Sequence, residues 1–199
     1  MKAFTFDRYR AVNIAIMTLL FSIAEALIVT GARRWFPELP YTLSLSILFI
    51  SLEIMRWRGL GAISAIAGGF VFCLASGADA RYFAIYCLGN LFAMAVLVFV
   101  KAVGRNKIRQ DALLSVCYVV LVFLAACIGR YCVSLIFAGE PLMIVQYLTT
   151  DLLSLLFAIV AVLIVRNADG IFEDQKDYLF RLERKRKEKA GEQDGMQDF

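Results

Sequence analysis

The sequence predicts an all-α protein, a bundle of six transmembrane helices with both termini in the cytoplasm. Three observations lead there: composition, the spacing of apolar runs, and the placement of basic residues. Of 199 residues, 61% are hydrophobic and 19% charged, a balance well to the apolar side of an ordinary soluble domain. Six apolar stretches, near residues 9–30, 42–57, 60–76, 82–103, 112–138 and 142–166, have lengths suited to crossing a bilayer. With that threading, 17 of the 21 basic residues fall on the inner side and only Arg33, Arg34, Arg81 and Arg130 lie toward the outside. Nine inner residues against four remain when the C-terminal tail is set aside, so the positive-inside bias does not depend on that tail. A membrane domain is expected over 1–168 and a charged cytoplasmic helical tail over 169–199.

The first run follows Lys2, Arg8 and Arg10 and is read as helix one rather than a cleaved leader, because comparable runs follow it. Ala11, Ala15, Thr18, Ser22 and Glu25 share one of its faces, small at the inner half and polar at the outer. The loop GARRWFPELPY, 31–41, places Trp35 and Phe36 either as an interfacial anchor or as a lid over an outward pocket. The second and third segments turn at RWRGLG, where Glu53 is expected to pair with Arg56 or Arg58. Gly61, Ala65 and Gly69 form a small-residue packing stripe.

The last three helices carry the chemistry. Tyr82, Tyr86 and Asn90 share a face of helix four, with Arg81 at its mouth. Cys127, Arg130 and Ser134 share one on helix five, and Tyr147, Asp151 and Ser154 one on helix six. If helix five ends at Ala138 and helix six begins at Leu142, Arg130 and Asp151 lie about 12 and 13.5 Å below the outer ends at 1.5 Å per residue. Asn90 lies at about 12 Å and Glu25 at about 7.5 Å by the same rise. A charge in hydrocarbon costs roughly 2.5–3.5 kcal/mol on insertion scales, so buried charges pair and mark ligand sites or pathways. The arrangement is either polar glue that fixes helix register or a small-molecule site walled by aromatics. The tyrosines above each polar residue favour the site. Its candidate residues are Glu25, Trp35, Arg81, Tyr82, Tyr86, Asn90, Arg130, Tyr147 and Asp151.

Catalysis is not expected. Histidine is absent, no paired-carboxylate signature occurs, and the five cysteines lie in apolar stretches without metal-site spacing, so they read as small core residues. Neither a catalytic residue nor a metal site is assigned. The tail carries Phe172, Leu179 and Leu182 before an all-charged run at 183–189. It reads as a solvated helix whose apolar side meets the bilayer surface or a partner, and not as a nucleic-acid binder.

A chain of this length with six helices, a short second helix and AVNIA at 11–15 resembles the S component of energy-coupling factor (ECF) transporters. The stretch LSLSILFISLEIMRWRGLGAISAIAGGFVFCLASG is similar to the second and third helices of such subunits. The resemblance implies a bacterial plasma-membrane protein that captures a vitamin or related micronutrient from outside. Its pocket would be built from helices four to six under the loop after helix one. It further implies that Ala11 and Ala15 dock on a membrane coupling subunit (T component), and that two cytoplasmic ATPases supply the energy. The chain itself would carry no cofactor, ATP being bound by those partners, because no GxxxxGK[ST] loop is present. The alternative is a non-transporting membrane scaffold of the MreD cell-shape type, in which the Arg130–Asp151 pair is glue and the tail recruits a partner.

Overall fold

In a computed structural model, residues 3–37, 42–137 and 143–196 are described, with side chains over 6–37, 42–137 and 144–185. All their regular elements are helical. The expected turn between Ala138 and Leu142, and 38–41 of the outer loop, lie outside the described residues. Helix α1 spans Ala3–Trp35, α2 Ser46–Trp57 and α3 Gly61–Ser76. Helix α4, Ala80–Asn90, continues through a tight 3-10 stretch, Leu91–Val96, into α5, Leu97–Val103. The short α6, Arg105–Gln110, leads to α7, Ala112–Phe137, then α8, Met143–Thr150, α9, Leu152–Val165, and α10, Gln175–Met196.

Among the described residues four helical runs are long and apolar enough to cross a membrane, Phe6–Trp35, Ser46–Ser76, Ala80–Val103 and Ala112–Phe137. The pair α8 and α9, bent by 49°, makes a fifth if it is one span. Large apolar side chains cover the outside, among them Leu27, Val98, Ile136 and Ile164, all about 70% exposed or more. Such a surface is costly in water and fits hydrocarbon.

The run from 46 to 76 is a hairpin. A Cβ on Gly68 would lie 3.0 Å from Ser46 Oγ, and one on Gly61 3.1 Å from the Ile54 backbone nitrogen, so α3 returns alongside α2. With 12 residues, α2 is about 18 Å long, short of the roughly 30 Å of a hydrocarbon core. Each of those 12 residues is buried, and α2 is the central post around which the longer helices stand. Its apolar side chains, with Phe21 of α1 stacked on Phe49 at 4.1 Å, form the middle of the core.

Arg58 turns the chain between α2 and α3 with φ 57° and ψ −125°, a left-handed conformation where an L side chain costs about 1–3 kcal/mol. Its exposed ion pair, Nη2 to Asp174 at 3.2 Å, returns at most about 1 kcal/mol. Glycine would make this turn more cheaply.

Glu53 departs from expectation. It is fully buried, and its carboxylate oxygens have no hydrogen-bond partner. Arg56 instead donates to Asn13 Oδ1 at 2.9 Å and to the Gly170 carbonyl at 2.9 Å, while Arg58 reaches Asp174. The cysteines also divide: Cys73 and Cys127 are core residues, whereas Cys117 is exposed.

The expected boundary at 168/169 falls inside packed structure. Phe172 is fully buried, edge-on to Tyr118 at 6.0 Å between ring centroids, and Gln175 is 1% exposed. Five arginines hold this segment at the N-terminal end of the bundle. Arg56 takes the Gly170 carbonyl, and Arg58 and Arg105 share Asp174. Arg109 joins Asp169 at 3.0 Å and Glu173 at 2.6 Å, and Arg181 also meets Glu173. Burial pushes the Arg105 guanidinium below its ordinary pKa, and Asp174 opposes that shift. The exposed part of the charged helix therefore starts only within α10, after Gln175, because one aromatic and the arginine array pin everything before it.

Candidate functional site

The two charges placed in the last spans meet. Arg130 of α7 pairs through Nη1 with Asp151, which stands at the bend between α8 and α9. Both are nearly sealed, at 2% and 3% exposure. Arg130 Nε donates to Asn90 Oδ1 at 2.9 Å, and Asn90 Nδ2 donates to the Ala65 carbonyl at 3.3 Å. The Arg130 Cζ stands over the Tyr86 ring, 4.5 Å from its centroid, and Tyr86 meets the Tyr147 ring edge-on at 6.1 Å. Five predicted residues, Tyr86, Asn90, Arg130, Tyr147 and Asp151, are thus brought together.

Small residues make this approach possible. A Cβ at Gly89 would stand 2.6 Å from Arg130 Cα, and one at Gly69 2.8 Å from the Tyr86 carbonyl carbon. Helices α3, α4 and α7 are therefore in backbone contact around the pair. A buried ion pair costs several kcal/mol per ion in lost hydration, and removing one partner typically costs about 3–5 kcal/mol.

Sequence reasoning missed the residues that complete the cluster. Thr42 Oγ1 donates to Asp151 Oδ1 at 2.6 Å, and the Thr42 backbone N–H donates to the Thr150 carbonyl at 3.0 Å. Ser154 Oγ donates to the Thr42 carbonyl at 3.1 Å and accepts from the Ser44 backbone N–H at 2.9 Å. The chain before α2 is stapled onto the α8–α9 bend. The signal is the alternating hydroxyls of TLSLS, 42–46, most of which precede α2 although the apolar run 42–57 takes them into helix two.

Glu25 belongs to the same network from the other side. Its carboxylate accepts from Ser44 Oγ at 2.5 Å, from the Leu45 N–H at 2.5 Å and from Ser46 Oγ at 3.2 Å. It serves the start of α2, where an anion satisfies free backbone donors and the helix dipole. One continuous polar path runs from Glu25 through Ser44, Ser154, Thr42 and Asp151 to Arg130 and Asn90.

A cavity of about 300 Å³ opens at this end between α1, α3 and the chain after α1. Arg33 and Phe36 line it, with Thr42, Leu43, Phe72 and Ser76. Of the residues expected as a lid, Arg33 and Phe36 face this space. Trp35 is not among its walls and is 77% exposed. Arg81 is exposed and Tyr82 is 37% exposed, so neither belongs to the buried cluster. Thr42 is common to cavity and cluster: its side chain bonds Asp151 while the residue borders the open space.

Compared with protein-family models, curated proteins and solved structures, the chain matches none. What the site can do rests on its chemistry. The arginine at the cavity rim, aromatic and aliphatic walls, and the hydroxyl residues Thr42 and Ser76 suit a small amphipathic anion. Among the described residues no group of three or more acidic or cysteine side chains could hold a metal. Ala11 and Ala15 lie on the exposed surface of α1.

Proposed function

We propose that the chain is a membrane subunit that captures a small solute at its outer end, in the manner of the substrate-binding S component of an ECF-type importer, with six spans and both termini inside. The observation that carries this reading is the cavity beside Arg33 and Phe36, bordered by Thr42 and resting on the Arg130–Asp151 cluster. The solute is a micronutrient with an anionic group, held by Arg33. The buried ion pair sets the wall behind Thr42 rather than touching the solute. Exposed Ala11 and Ala15 give α1 a small-residue strip on which a coupling subunit can pack closely, and ATP is hydrolysed by partner ATPases. Pull-down of the full chain from its native membrane tests this: recovery of a coupling subunit and two ATPases is expected, and loss of all three on Ala15→Leu.

A second reading, the MreD-type scaffold, is favoured by the internal partners of the Arg130–Asp151 cluster, since a buried pair already held by neighbouring helices can serve as packing without a ligand. Recovery of cell-wall proteins in the same pull-down, with no coupling subunit, would favour it.

A further inference from the structure

At the N-terminal end of the bundle, a groove of about 500 Å³ runs between α5 and the start of α10. Its rim carries Arg58, Lys101 and Arg105, and its wall carries Leu97 and Val100. We propose that this groove binds the headgroup of one anionic phospholipid from the leaflet on that side of the membrane.

Three observations converge. The first is the strained Arg58, held in a conformation that glycine adopts freely, with 71% of its side chain exposed beside the groove. Its ion pair to Asp174 does not account for that choice of residue, since Asp174 is also held by Arg105. The second is charge. Three cations face two carboxylates, Asp174 and Asp177. Asp174 is spread over two arginines, and Lys101 makes no ion pair among the described residues. A phosphodiester supplies the missing anion, and Asp177 and Asn106 offer partners for headgroup hydroxyls. The third is the apolar wall. Leu97 and Val100 belong to the last turns of a membrane-length helix whose neighbouring Val98 is 75% exposed. An inorganic phosphate gains nothing from that wall, whereas an acyl chain continues along it. Basic clusters at this membrane level favour anionic lipid. The inference stands independently of what the opposite end binds.

The test uses the full-length protein in detergent, titrated with phosphatidylglycerol and followed by native mass spectrometry. One lipid per chain is expected to persist at activation energies that strip the others. Arg58→Gly combined with Lys101→Gln is expected to weaken that retention at least tenfold, whereas Lys107→Gln, at an exposed position outside the groove, leaves it unchanged. Arg58→Gly removes the strained side chain, so its melting temperature should not fall, and that measurement separates lost binding from lost folding. Equal retention by wild type and the double variant would overturn the proposal. So would displacement of the lipid by millimolar inorganic phosphate, which would mark a site for the free ion.

Discussion

The two ends of this bundle solve the same problem, holding arginine against carboxylate, in opposite ways. At one end a single pair, Arg130–Asp151, is almost sealed and has Asn90, Tyr86 and Thr42 as further partners. At the other, four arginines share three carboxylates across the 169–175 segment, several of them half in solvent, while a fifth, Arg56, takes the Gly170 carbonyl. The first arrangement is all-or-none, because each buried partner left alone is an uncompensated charge. The second is graded: exposed pairs contribute about 0–1 kcal/mol each, and the lasting hold comes from Phe172. An end built on a sealed pair suits a fixed wall behind a cavity. An end built on a graded array suits a segment that other molecules can compete for.

The largest expected effect breaks the sealed end. Arg130→Met should destabilise the protein by about 3–5 kcal/mol, since Asp151 is left buried and unpaired. The double variant Arg130→Met/Asp151→Leu should recover most of that loss, as read by thermal melting in detergent. Additive losses in the double variant would show that the pair is not a unit. Phe172→Ala comes next, at about 3 kcal/mol for an emptied aromatic site, and should make the 169–175 segment accessible to protease while the cavity end stays intact. Thr42→Val should cost about 1–3 kcal/mol by leaving a buried carboxylate oxygen short of a donor, and hydrogen exchange should quicken at 42–46 rather than at the tail. Smallest is Asp169→Asn, about 1 kcal/mol or less in stability because that carboxylate is largely exposed, checked by the same melt. A larger loss there would mean that the array is cooperative and the contrast between the ends is false.

The sealed end was readable in the sequence because long apolar runs fix depth: the similar distances of Arg130, Asp151 and Asn90 from the ends of their spans, about 12 to 13.5 Å, bring them to one level. The same arithmetic could not place Glu25, whose role depends on where the start of α2 docks. That start is set by contacts between Ser44 and Ser154, 110 positions apart. Glu53 was misread because a residue one turn from Arg56 looks paired, yet Asn13 and the Gly170 carbonyl reach that arginine instead. The opposite end was hidden by its composition. A run dense in charge looks solvated, and only Phe172 and Ile171 in that stretch hinted that its beginning is packed.

Whether the cavity end captures a solute is decided most directly by mass spectrometry of small molecules that survive purification of the full chain. The account predicts one anionic compound retained per chain in the wild type and lost in Arg33→Ala, with the fold of the variant unchanged. No retained compound in the wild type, or the same compound held equally well without Arg33, would contradict it.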